Sequence, residues 1–324
     1  MLTPEELETG TRLLTIFLPG AVRRRDQMVR TDGRFVHYTS AENALKILNT
    51  KRIWMRNTTC MTDFREVNHG LDALNRCFND PGRQQAFKNA INSCNAGAAD
   101  QAITLFNQWW QNTQLETYIT SISEHDVREN LHGRLSMWRA FGGSAGRVAI
   151  VIKLDLAIGK NAALSANLSP VRYFNDTQVA SEFDEVIANI KANQDFLSGI
   201  DRNALIGAVF GMLTTSVVCL KHEGFDEERE WRVIHAPKRA PSTVLESSVE
   251  VIGGIPQIVY KIPLENNAAT EVTGLSPDEL IDRVIIGPTQ FPWAMYAAVV
   301  AALEAAGVTN AGSRVFISQI PVRT

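Results

Sequence analysis

Phe225-Asp226-Glu227-Glu228-Arg229-Glu230-Trp231-Arg232-Val233-Ile234 is the stretch from which the fold can be read outward. Its first half crowds four carboxylates into five positions, which a chain tolerates on a solvated turn. Its second half is the β-branched and aromatic run of a strand. Side chains in a strand repeat every second residue, so Glu228 and Glu230 are expected on one side. Two carboxylates aimed together into a cleft can hold a hydroxyl, a cation or a developing positive charge, and Arg229 and Arg232 offset part of their repulsion.

Outward from this point, Arg147-Val148-Ala149-Ile150-Val151-Ile152-Lys153-Leu154 is the strongest strand signal, apolar enough to be central and buried. Residues 34–39, 53–55, 171–174, 258–262, 281–286 and 314–318 read as further strands. In Tyr118-Ile119-Thr120-Ser121-Ile122-Ser123, apolar and hydroxyl side chains alternate. Tyr118, Thr120 and Ile122 then share one face and Ile119, Ser121 and Ser123 the other, a pattern ordinary for an edge strand. His37 falls where the 34–39 strand stops and a helix begins, a place where side chains line clefts.

Thr3-Pro4-Glu5-Glu6 reads as a helix start rather than a signal peptide. Thr39 with Glu42, and Asp63 with Glu66, have capping-box spacing. Val67, Leu71, Leu74 and Phe78 then recur at helical steps. Residues 83–115, 176–197, 201–221 and 291–306 read as helix, residues 237–248 as a loop, and Phe106, Trp109 and Trp110 as core contacts. Residues 204–220 lack charge but fall short of the roughly 20 residues of a membrane span, so they are expected in the core. The glycine-rich turn at residues 142–146 lacks the lysine of a P-loop.

The chain of 324 residues can bury a full core. A net charge of −3 gives no broad footprint for a polyanion. Cys60, Cys77, Cys94 and Cys219 show no metal spacing and read as reduced thiols of a cytoplasmic protein. The expected organisation is a helical extension at residues 1–30, then a single mixed α+β domain over residues 31–324 with helical insertions near 62–115 and 176–221.

Several landmarks together resemble an uncharacterised bacterial family, domain of unknown function 2971. They are His37-Tyr38-Thr39-Ser40, Met61-Thr62-Asp63-Phe64-Arg65-Glu66, Ser121-Ile122-Ser123-Glu124, Met137-Trp138, Glu228-Arg229-Glu230-Trp231-Arg232 and Val284-Ile285-Ile286-Gly287-Pro288. Thr62 and Phe64 stand where that family tends to read Asn and Pro. The order of the motifs is similar to that of ADP-ribosyltransferases, with Arg or His on a first strand, an aromatic-x-Ser-x-Ser strand next and Glu-x-Glu on a later one.

That resemblance implies a mainly antiparallel sheet elaborated by helices and NAD as substrate. It implies that His37, or Arg34 if the strand is shifted, bonds the nicotinamide-side ribose, beside Thr39 and Ser123 in the same pocket. Ser121 would orient the glutamate, Tyr38 or Tyr118 would stack on nicotinamide, Glu230 would stabilise the oxocarbenium-like charge and Glu228 would orient the acceptor. The acceptor would be a protein or a nucleic acid, no membrane is implied, and the biological setting would be a toxin or a phage-defence effector. Two other readings of the residues stay open: a metal-dependent nuclease using Asp63, Glu66, Glu228 and Glu230 as oxygen ligands, and a non-catalytic interaction protein.

Overall fold

The computed structural model describes residues 3–60, 64–141 and 146–321, with the side chains of residues 64–67 and 111–114 outside that description. Asp63, with its expected helix cap and metal role, and residues 142–145 lie outside the described residues, as does the Glu66 side chain. The chain opens with helices α1 (Pro4–Phe17) and α2 (Pro19–Arg30), α1 starting on the reciprocal Thr3–Glu6 capping box. Then come β1 (Arg34–Ser40), α3 (Ala41–Thr50) and β2 (Arg52–Asn57). The cap of α3 is Ser40 rather than Thr39. Thr39 lies inside the ladder opposite Val148, and Ser40, the last residue of that ladder, carries the capping hydroxyl that accepts from the Asn43 amide.

The first helical insertion holds α4 (Phe64–Phe78), α5 (Pro81–Cys94) and α6 (Ala98–Glu116). It leads into β3 (Tyr118–His125), α7 (Leu135–Ala140), β4 (Arg147–Ile152), β5 (Ala166–Pro170) and β6 (Arg172–Tyr173). The second insertion, α8 (Asp176–Ala192), α9 (Gln194–Gly199) and α10 (Arg202–Val218), ends in β7 (Leu220–Lys221). A 3₁₀ turn, Glu223–Glu228, then feeds β8 (Glu230–His235). The rest is β9 (Glu246–Ile252), β10 (Ile255–Pro263), α11 (Pro277–Leu280), β11 (Ile281–Ile286), α12 (Pro292–Ala306), α13 (Ala311–Arg314) and β12 (Val315–Ile317). β9 begins inside the stretch expected as loop. It forms a hairpin with β10 around Gly253-Gly254, whose φ values of 59° and 81° suit a two-residue turn that glycine enters without strain.

The fold is mixed α+β around one open, mainly antiparallel sheet of order β12-β11-β4-β1-β3-β2-β10-β9, with β8 also on β3 and β5 beyond it. Within that sheet only β11 and β12 run parallel among the described residues. β4 is central, as its apolar run requires. β3 is central too, not an edge: β1, β2 and β8 all pair with it. Its serines face a buried polar site rather than water, which is why their alternation mimics an edge.

One face of the sheet carries an apolar core that includes Phe35, Ile150, Trp231, Val284 and Leu303. The two insertions pack on one another and on α1, making a second core around Phe87, Ile91, Phe183, Leu205 and Val209. α4 crosses α10 so closely that a Cβ on Gly70 would stand 2.2 Å from the Val217 carbonyl oxygen. That contact fixes the end of α10 and hence the position of β7. Among the described residues no helix is long and apolar enough to cross a membrane.

Candidate functional site

β3 pairs continuously with β8 along one edge, from Tyr118 to Ser123. Along the other edge it pairs with β1 only from Ser123 to His125, and with β2 only at Tyr118 and Ile119. Thr120, Ser121 and Ile122 therefore border a gap where β1 and β2 part. His37 reaches into this gap, its Nδ1 lying 3.0 Å from the Ser121 carbonyl oxygen. A carbonyl only accepts, so Nδ1 carries the proton and Nε2 of the neutral ring is left as an acceptor. Burial lowers the His37 pKa below its ordinary 6.5, against the smaller opposing pull of that hydrogen bond, so the ring is neutral at pH 7.

On the far side of the gap stands Glu230, 6% exposed. Its Oε1 accepts from Ser121 Oγ at 2.5 Å and Arg232 Nε at 2.8 Å, and its Oε2 accepts from Arg232 Nη2 at 3.2 Å. Lys221 Nζ lies 3.2 Å from the same Oε2 and donates to Glu228 Oε2 at 2.6 Å. Burial alone would raise the Glu230 carboxyl, but Arg232, Lys221 and Ser121 outweigh it and hold it at about 2. The two glutamates do converge, though not through strand periodicity. Glu228 ends the 3₁₀ turn, and Arg229, in the left-handed region at φ 45°, swings the chain so that both carboxylates reach the one ammonium.

A cavity of about 310 Å³ runs through the gap and is lined by residues of both sheet faces. It brings together His37, Tyr38, Thr39, Ser121, Ser123, Glu228 and Glu230 of the sequence-derived set. Arg34 and Tyr118 are not among its lining residues. Arg34 pairs with Asp282 at 2.6 Å, and Tyr118 packs edge-on against Tyr260 in the core. Tyr38 lines the wall with its hydroxyl already engaged, accepting from the Arg134 amide at 2.8 Å, and burial pushes that hydroxyl up to about 12. Its ring meets Trp138 edge-on at 4.9 Å.

Sequence reasoning missed Lys221, Arg134 and Tyr173. Lys221 is 2% exposed in the short strand that follows an apolar helix, and a lysine at such a place announces a buried carboxylate partner. Arg134 ties the acidic turn to β3, donating to the carbonyls of Glu227, Glu228 and Glu124 and to the Glu129 carboxylate. Tyr173 Oη accepts from the Glu230 amide at 2.8 Å, and burial raises its pKa. The opposite wall is basic and aromatic: Lys46, Arg52, Arg56 and Trp54, with the Lys46 ammonium 3.8 Å over the Trp54 ring. An ionised carboxylate and a neutral imidazole acceptor suit the hydroxyls of a ribose, and the cations suit a diphosphate. Among the described residues no group of three His, Cys, Asp or Glu is placed to hold a metal ion, and a lysine sits between Glu228 and Glu230.

No curated protein and no solved structure matches the chain. Residues 137–233, less than a third of its length, match the family model described as "Protein of unknown function (DUF2971)", so the segment from Met137 through Glu228, Glu230 and Arg232 is similar to that family.

Proposed function

We propose that the chain is an ADP-ribosyltransferase-like enzyme that cleaves the nicotinamide glycosidic bond of NAD and transfers ADP-ribose to a protein or nucleic acid. The observation that carries this reading is the 2.5 Å hydrogen bond from Ser121 to Glu230 inside a cavity that His37 also lines. His37 Nε2 would accept a ribose hydroxyl, and Glu230, ionised and aimed by Ser121, would face C1′. As the C1′–N bond breaks, its electron pair leaves with neutral nicotinamide and positive charge develops on the ribose. A fixed carboxylate in a site screened from water stabilises that charge without reorganising, and supplies several of the roughly 8–23 kcal/mol that enzymes provide. The acceptor's lone pair then forms the new bond to C1′, and its proton passes to Glu228 or to solvent. Lys221 and Arg232 keep Glu230 charged and in place while offsetting part of its field.

A titration with NAD followed by nicotinamide-release kinetics tests this, with Ser121→Ala beside Glu230→Gln because the latter also strips two buried cations of a partner. The expected result is NAD binding by all three proteins, full release by the wild type, reduced release by Ser121→Ala and none by Glu230→Gln. NAD that neither binds nor is consumed with any acceptor tried would sink the proposal. The saturation of Glu230 by its neighbours supports a second reading, a binding module on the same fold. It predicts NAD binding with no release by any variant. The resemblance extends the first reading to a toxin or phage-defence effector, and bacterial growth unaffected by expression, with and without phage, would count against that extension.

A further inference from the structure

Behind the sheet lies a second chamber of about 150 Å³. His37, Ile47, Ile53, Thr120 and Ile122 line both spaces, so the chamber adjoins the gap between β1 and β2. It lies on the face opposite Glu230, because Ile122 and Val233 alternate with Ser121 and Arg232 along β3 and β8. Its walls are aliphatic, among them Ile47, Ile122, Ile152, Leu164, Leu168 and Val233, and the only ring on it among the described residues is the His37 imidazole. At the other end it reaches an exposed rim with Asp155 and Lys160, which pair at 3.3 Å. Asn161 pins that rim by bonding the Thr273 backbone through both its amide atoms.

Interiors pack densely and leave few voids larger than a water molecule. A space walled by branched aliphatic side chains offers water no partners and takes apolar guests. With no aromatic wall to stack a base and few polar atoms to fix a sugar, the shape and chemistry select a flexible hydrocarbon. Among the described residues Lys160 is the one cation on the lining, and a carboxylate head would take the place of Asp155 as its partner. We propose that this chamber binds a free, single-chain aliphatic carboxylate, tail inward against Val233 and Leu168 and head at Lys160. Nothing in this depends on NAD.

The test is calorimetric titration of the full chain, without NAD, with straight-chain carboxylates from hexanoate to dodecanoate. Affinity is expected to rise about threefold to fourfold per methylene until the chamber is full. Leu168→Phe and Val233→Phe, which fill the space, should weaken decanoate at least tenfold, and a melting curve on each shows which variant is folded, so that either one suffices. Lys160→Met should weaken decanoate several-fold and leave decanol unchanged. Absence of binding at every chain length, wild-type affinity in a folded filled variant, or binding to phosphatidylcholine vesicles but not to free decanoate would each overturn the proposal.

Discussion

Glu230 is the residue on which the site turns, and its environment has consequences for stability as well as chemistry. Its carboxyl titrates at about 2 in the fold against an ordinary 4.5. The folded chain therefore keeps this group ionised where the unfolded chain has protonated it. The resulting stability is fully present above pH 4.5 and is lost as pH falls toward 2, a contribution on the order of 3 kcal/mol. Denaturant unfolding at pH 7 and pH 3 should show a smaller loss between the two for Glu230→Gln than for the wild type. His37 works in the opposite chemical sense. Its pKa is lowered, so the unfolded ring takes up a proton from pH 6.5 downward while the folded ring resists. Protonation would turn Nε2 from acceptor to donor, so NAD affinity should stay flat through pH 6.5 and fall only at lower pH, where the buried ring at last takes up its proton, and His37→Phe should bind weakly with no such dependence. Arg229 supplies the left-handed turn between the two glutamates. Arg229→Gly should hold or raise the melting temperature, whereas Arg229→Val, β-branched in that conformation, should lower stability by about 1–3 kcal/mol.

Between residues and fold, the element that matters most is α10, which ends in β7 and sets Lys221 between Glu228 and Glu230. Its position depends on the bare backbone contact at Gly70. Gly70→Ala should force α4 and α10 apart and cost about 1–3 kcal/mol by denaturant unfolding, with a fall in any nicotinamide release as Lys221 shifts. At this scale the sequence was partly transparent. Glu230, Ser121 and His37 could be singled out because a strand's alternation and a strand-to-helix junction are local properties. The α10 helix and the β4 strand could be placed because their apolar runs leave no alternative. Lys221 could not, because its partners arrive from the following turn and strand and depend on tertiary approach. The β9–β10 hairpin was missed although Gly253-Gly254 marks its turn: β9 exposes Val249 and Val251 and so lacks the buried face that reveals a strand. The central place of β3 was hidden because register and partner choice are not written in one strand's own pattern.

In the whole molecule, a sheet that splits along one edge of β3 stands beside a helical body built from both insertions and α1. The split makes the cavity, and the helical body, through α10 and β7, furnishes the cation that holds its carboxylates. This division assigns each half a separate sensitivity: filling the gap should disturb ligands and leave stability, while loosening the helical core should disturb both. The helical body was not foreseen as one unit, since two amphipathic segments about a hundred residues apart carry no sign that they bury each other's faces. We propose that the Ser121–Glu230 pair, in a cavity lined also by His37, cleaves NAD. The most direct test of this proposal is the rate of nicotinamide release from NAD by the wild type beside Ser121→Ala and Glu230→Gln, with folding of each checked by melting. Release is expected from the wild type, with a loss of about tenfold to a hundredfold for Ser121→Ala, consistent with the roughly 1.5–3 kcal/mol of a hydrogen bond to a charged group, and no detectable release by Glu230→Gln. Equal release by all three folded proteins, or none by the wild type with any acceptor, would contradict it.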